Sequence, residues 1–360
     1  MASVINVTAL ELKPIEVQEL SAFILERVTT DPVLSSIHNV WTGVKMKEKI
    51  GFASQLGKTG VLDASCARPN SGAGSTLTEK EWEPVTIGDT LIHCNKELNA
   101  LFKAYFSKVQ RYVELFDIQG SELEKFLSVL LTEAAMKTVW RAAWLADANV
   151  AAATAAAAGL INAVTNKKFY NYFDGLWAQI FDGVTAGDIA YVEISQNNEA
   201  TTVAQKTLAA GYSVGLFESI WAKADSRLRA DSNKQFLVSR GIFENYRSYL
   251  QGKGENFSID YTMDGLPSLK WNGVPVINME TIWDLQLEAD FVDNTTNKAH
   301  WLPNRAVLTV PANIPIATLS EEDMDTLEVW YEKKDRSMYS AYGFTLDAKL
   351  LEKYMIVTAY

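Results

Sequence analysis

Cysteine and histidine are scarce in this chain. Two cysteines, Cys66 and Cys94, and three histidines, His38, His93 and His300, are spread over 360 residues. No CxxC pair occurs, and only His93 lies beside a cysteine, so the ligand spacing of a zinc site is missing. Both thiols are expected to be free, at least one of them buried. Positive charge is also short, with 33 Lys and Arg against 44 Asp and Glu and a net charge of −11. A strong grip on nucleic acid needs clustered cations against phosphate, and this balance argues against one. Long apolar runs are absent as well. The longest, Val150–Val164, is alanine-rich and broken by Thr154, Gly159 and Asn162, too short and too weakly apolar to span a bilayer. The start, Met1-Ala-Ser-Val-Ile-Asn, lacks the basic and then apolar regions of a signal peptide. The chain is therefore expected to be made in the cytosol and to stay soluble. What is present is 48% hydrophobic and 21% charged residues, the composition of a folded protein. The length allows a large core and roughly two or three compact units.

The clearest local signal lies between Phe257 and Met279, where Asp264-Gly265 and Asn272-Gly273 separate short apolar and β-branched runs. Asn-Gly takes the two positive φ values of a type I′ turn readily, so Leu269–Trp271 and Val274–Ile277 are expected to pair as a tight hairpin. Upstream, Pro14 opens an amphipathic run through Val28 that Asp31-Pro32 should end. Residues 45–90 carry Lys45, Lys47, Lys49 and Lys58, then a Gly, Ser and Ala-rich centre at Arg68–Ser75. The flanks, Ile50–Phe52 and Val85–His93, read as strands, and the segment as a long extended hairpin. Helical spacing marks Asn95–Phe116. Ser121 and Glu124 form a capping box, opening a helix to about Ala146 with a stripe of Leu123, Phe126, Leu127, Leu130, Leu131 and Ala134. At about 1.5 Å per residue that is a rod of roughly 40 Å. Further helices are expected over Asn166–Phe181, Gly215–Arg229 and Ile242–Leu250. Strands are expected over Gln235–Ser239, Ala306–Val310, Val329–Tyr331 and Met355–Thr358. Strands and helices do not alternate regularly, so the class is α+β.

The patterns that resemble chemistry are each incomplete. Gly211-Tyr212-Ser213-Val214-Gly215 fits the G-x-S-x-G elbow, with His300 downstream, and makes Ser213 a candidate hydrolase nucleophile. The elbow needs a buried strand before the serine, and Val203–Ala210 reads as helix-like and partly polar. Gly51–Thr59 resembles a phosphate-binding loop but has five residues between its glycines where the motif has four. The acidic cluster Glu321, Glu322, Asp323 and Asp325 lacks the glycine of a calcium loop and suits a helix N-terminus. The lysines near 45–58 read as a solvated edge, and the aromatics of Phe169–Phe181 as core. No catalytic, cofactor-binding or metal-ligating residue is assigned, and the chain is read as a non-enzyme.

Several segments together resemble the major capsid proteins of tailed bacteriophages. They are Trp140-Arg141-Ala142-Ala143-Trp144-Leu145-Ala146-Asp147, Phe169–Trp177, Trp271-Asn272-Gly273-Val274-Pro275-Val276, Pro303–Thr309 and Met355–Tyr360, in that order. The resemblance implies a fold of the Hong Kong 97 type, shared with encapsulins. It divides the chain into an N-terminal arm at 1–45, an extended loop at 46–90, a peripheral domain with its spine helix at 91–160, an axial domain at 161–319, and a return to the peripheral and axial sheets at 320–360. It implies self-assembly through hexameric and pentameric capsomers into a virion shell enclosing double-stranded DNA without specific binding. A portal, and scaffold or decoration proteins, would be the other partners, and synthesis would be in the bacterial host cytoplasm, with no membrane contact. An encapsulin-like compartment and a serine hydrolase using Ser213 are the alternatives.

Overall fold

The computed structural model describes residues 32–53, 77–94, 121–148, 167–253, 260–261, 267–284, 302–318, 328–332 and 337–360. The expected helices over 14–28 and 95–116, the Gly/Ser-rich centre near 68–75, the alanine-rich connector and the acidic cluster near 321–325 lie outside them.

Seven strands form the larger sheet, in the order β5 (Ala190–Val192), β14 (Ile356–Ala359), β10 (Ala306–Thr309), β6 (Gln235–Val238), β9 (Val274–Asn278), β8 (Pro267–Trp271) and β7 (Asp260–Tyr261). Strand alternation sorts its side chains onto two faces. Phe236, Val238, Leu308, Val276 and Val357 face a core completed by Leu216, Phe217, Ile220, Ile242 and Phe243 of helices α5 (Tyr212–Lys223) and α7 (Arg240–Gly252). Leu237, Val307, Ile277 and Ile356 face the opposite core, with the end of helix α2 (Ser121–Leu145) and helix α3 (Leu176–Thr185). The strands β6, β10 and β14 are buried throughout because both faces are covered, which explains their continuous apolar runs.

The smaller sheet is built on the long strand β13 (Ser337–Ala348). It pairs antiparallel with β4 (Val85–Cys94), β12 (Glu328–Glu332) and β11 (Ile316–Ala317), and β1 (Val40–Trp41) runs parallel to β11. A separate ribbon of β2 (Lys49–Ala53) and β3 (Leu77–Glu81) pairs only with itself among the described residues.

The α+β expectation holds, and so do most of the strands. The expected spine helix is present as α2, 25 residues long. The side chains of its expected stripe up to Leu131 lie outside those described; farther along, Ala135, Val139, Ala142 and Ala143 are buried. Three expectations need correction. Strand β4 does not close a hairpin with β2; its partner is β13, more than 240 positions downstream. Pro32 also opens a short helix that was not anticipated, α1 (Pro32–Ile37), because at a first helical position its missing N–H costs nothing. The helix expected over 166–181 is broken. Residues 170–175 turn, because Gly175 packs on the end of α2, where its N–H donates to Ala146 O at 2.9 Å and an added Cβ would stand 2.9 Å from Ala146 N. The helix expected over 215–229 is also split. Asp225 breaks it by capping helix α6 (Ser226–Ala230), accepting from the Arg227 N–H at 2.9 Å. Strand β13, the longest, was not anticipated.

The hairpin at β8–β9 forms as expected, with Leu269 opposite Val276 and Trp271 opposite Val274. Its turn residues have φ of 47° at Asn272 and 79° at Gly273. Nothing lies within 4 Å of a Cβ built on Gly273, so only backbone strain opposes substitution there. Gly273→Val should lower the unfolding free energy by about 1–3 kcal/mol, while Asn272→Asp should be near neutral. Denaturant titration of the two variants checks this; equal stability of Gly273→Val and the parent would rule out the strained turn.

Candidate functional site

The structure gives Ser213 a structural setting. Gly211, at φ 74°, precedes α5, and Ser213 sits in the first turn of that helix. The segment before it is the short helix α4 (Thr202–Lys206) followed by non-strand residues, so no strand leads into the serine. Its side chain is fully buried, with Oγ 2.8 Å from Ile242 O and 2.9 Å from Asn245 Oδ1. This hydroxyl fastens α5 to α7, and a substrate cannot reach it. His300, Cys66 and residues 54–59 of the Gly51–Thr59 segment lie outside the described residues, as do the side chains of His93 and Cys94. Among the described residues no group of three or more His, Cys, Asp or Glu is arranged to hold a metal ion. The aromatics Tyr170, Phe173, Trp177 and Phe181 are buried in the core, as expected.

The most concentrated polar and aromatic constellation lies where α2 ends. Trp144 on that helix, Trp177 on α3 and Trp283 in the turn Glu280–Asp284 meet with ring centroids 5.0 to 6.1 Å apart. The guanidinium of Arg305, entering β10, stands 4.8 Å from the Trp177 centroid and donates from Nε to Leu302 O at 2.7 Å. Arg305 is fully buried, and burial pulls its pKa down while Asp284 opposes the shift. His38, just after α1, closes the other side. Its Nδ1 is 2.7 Å from Ile314 O, and its Nε2 accepts from Trp144 Nε1–H at 3.0 Å. These partners fix the tautomer, with the proton on Nδ1 and the lone pair on Nε2. The ring is therefore neutral and unavailable as a base.

A cleft of about 240 Å³ opens beside this histidine, lined among others by Ser35, His38, Asn39, Asp231 and Asn233. It brings together no nucleophile and base, because both His38 nitrogens are occupied. Sequence reasoning missed His38, Arg305 and the buried Asp347 on β13. A single polar residue that becomes buried carries no periodic signal, and only the alternation Met338, Tyr342, Phe344 and Leu346 would have pointed to the strand that holds Asp347.

Burial holds the His38 pKa down, from 6.5 to about 4. The unfolded chain then binds a proton between these values that the folded chain does not, so stability is fully present above about pH 6.5 and is lost as pH falls toward 4. Denaturation of the unassembled protein should show a slope of up to about 1.4 kcal/mol per pH unit across that window. His38→Gln, which can keep a donor and an acceptor without titrating, should flatten it. Identical slopes in both proteins would show that His38 is not the source.

No family model matches the chain, and no curated protein does. Solved structures do match. A chain from the satellite phage P4 procapsid, a structure that includes the size determination (Sid) protein, aligns with a TM-score of 0.56 at 10% identity, over 94% of this chain and 90% of that one. A chain of Gordonia phage Cozz aligns at 0.49 and 9% identity over 91% and 85% of the two chains. One from the holo-SrpI encapsulin complex of Synechococcus elongatus aligns at 0.44 and 10% identity over 92% and 87%. At such low identity the first of these likenesses establishes a shared fold, and the other two are looser.

Proposed function

We propose that this chain, which has the fold of the Hong Kong 97 type, is a major capsid protein that assembles into an icosahedral shell around double-stranded phage DNA. The observation that carries the reading is the likeness to a procapsid chain across nearly the whole length of both chains. The shape supports it. A ribbon that pairs only with itself among the described residues suits an element meant to contact another copy. In this reading 1–45 is the arm, 46–90 the extended loop, 91–160 the peripheral domain, 161–319 the axial domain and 320–360 the return to both. The copies would group as hexamers and pentamers, with a portal in the shell and scaffold or decoration proteins as further partners. Synthesis would be in the host cytoplasm and residence in the virion capsid. The net charge of −11 suits an inner wall that lets packaged DNA slide.

Electron microscopy of the protein expressed alone tests the reading. Closed shells, tubes or capsomer rings are expected, and a strictly monomeric particle at high concentration would overturn it. Particles purified from an infected host should carry DNA. Particles filled with a cargo protein and free of nucleic acid would replace the capsid reading with an encapsulin-like compartment.

A further inference from the structure

The base of the β2–β3 ribbon forms a neck that closes on a buried carboxylate. On one side the chain passes through Gly43 at φ 76° and Lys47 at φ 61°, the latter a left-handed conformation that a lysine rarely adopts. On the other side it passes through Trp82 and Glu83 before β4 begins to pair with β13 at Val85. Two backbone bonds cross the neck, Lys47 N–H to Trp82 O at 2.8 Å and Trp82 N–H to Glu48 O at 3.0 Å. The fully buried Trp82 ring packs with Val44, Ile50 and Ala317. The next residue is tied to the body by a side chain, since Glu83 N–H donates to Asp347 Oδ2 at 2.8 Å. Lys80 Nζ donates to Leu350 O, adding a second tie to the same stretch.

Asp347 lies at the point where β4 peels away from β13, and its side chain is 1% exposed. Its Oδ2 meets the Glu83 N–H and, at 3.4 Å, Lys349 Nζ, and the Ala348 N–H also acts on the carboxylate. Its Oδ1 is buried without a hydrogen-bond partner, as is the nearby Trp82 Nε1. Of the charged groups around it, Lys349 acts from its own strand's continuation. Glu83, exposed, follows the ribbon, and Lys80 on β3 has Lys349, Glu352 and Lys353 as its own charged neighbours. Strand β11 contributes no charge, only Ala317 opposite and Thr318 beyond it.

A neutral Asp347 keeps an oxygen for the Glu83 N–H and sheds the cost of an ionised oxygen that nothing solvates. An open neck would hydrate the carboxylate and remove that cost. We propose that the neck of the β2–β3 ribbon is a latch set by the charge on Asp347: closed when the carboxyl is neutral, loosened when it ionises. Burial, the largest influence on this group, raises its pKa against the opposing pulls of Lys349 and of the Glu83 and Ala348 N–H groups. The sign follows. The closed neck binds a proton that the open neck does not, so acid tightens the latch and rising pH loosens it. The proposal stands whether or not the chain builds a shell.

Hydrogen–deuterium exchange of the unassembled full-length protein across pH 4–8 reads the latch directly at the amides of Lys47, Trp82 and Glu83. After correction for intrinsic exchange rates, their protection should fall with rising pH by up to tenfold per unit, while the amides of β6 and β10 stay constant. In Asp347→Asn the protection should lose its pH dependence. A flat wild-type profile, or an unchanged dependence in Asp347→Asn, would overturn the proposal. If Asp347→Asn does not fold, Lys349→Met decides. Without the ammonium Asp347 ionises at higher pH, so the loosening should move to higher pH, and no shift or a shift to lower pH would overturn the latch.

Discussion

Trp144, Trp177 and Trp283 come from three separate elements and close on one another at the end of α2. Each ring removes roughly 150–250 Å² from water, worth about 4–6 kcal/mol at the usual area coefficient. Their edge-to-face pairing adds about 0.5–1.5 kcal/mol per pair. The buried Nε1 groups of Trp177 and Trp283 have no hydrogen-bond partner, which costs about 1–3 kcal/mol each. The geometric gain and the polar loss are thus of similar size, and burial of area decides the balance. Trp144 differs because His38 accepts its N–H. That one bond joins the segment after α1 to the cluster, and His38 Nδ1 carries the connection on to Ile314.

The two sheets depend on this junction for their relation to each other. Helix α3 leaves the cluster and sends Gln179 to the end of β13, donating to Ala348 O at 2.7 Å and accepting from Leu350 N–H at 2.8 Å. Arg305 leaves it into β10, where Ser239 and Arg305 exchange backbone and side-chain bonds at 2.9 and 3.1 Å. A buried guanidinium is a poor source of net stability, since desolvation offsets what its contacts return. Its strength here is direction. It can meet the Trp177 face, Leu302 O and the field of Asp284 together in only one register of β10.

The same reasoning explains what was legible in the sequence. Residues 272–273, β6, β9, β10 and β14 could be read because their signals are local: a turn pair demanding positive φ, or short apolar runs covered on both faces. The capping box at Ser121 marked α2 for the same reason. The breaks at 170–175 and at Asp225 could not be read from periodicity. Phe169, Tyr172, Phe173 and Leu176 keep helical spacing although the backbone turns there to let Gly175 meet Ala146. Strand β13 escaped because Ser337, Ser340, Ala341 and Gly343 interrupt the apolar signal of its first half, and its pairing with β4 spans most of the chain. The site residues were least legible. His38, Arg305 and Asp347 are isolated polar positions, and each has a defining neighbour more than 100, 120 and 260 residues away respectively.

Body and ribbon are therefore held by different physics. The body rests on two hydrophobic cores that share a sheet, and its neutral histidine makes it less stable in acid. Among the described residues, the base of the ribbon is closed by two backbone bonds, the Trp82 and Ile50 packing, the Lys80 bond to Leu350 O and a carboxylate whose burial favours the neutral form. A single drop in pH thus pushes the two in opposite directions, loosening the junction at His38 while tightening the neck at Asp347. The windows differ in kind as well. The His38 effect sets in below the ordinary histidine pKa and weakens a contact inside the core, where the cost is spread over the whole cooperative unit. The Asp347 effect acts at the base of the ribbon, where local opening costs less than global unfolding. Mildly acidic solution should accordingly hold the ribbon more firmly against a body that remains folded, because the body has a large reserve of buried area and the neck does not.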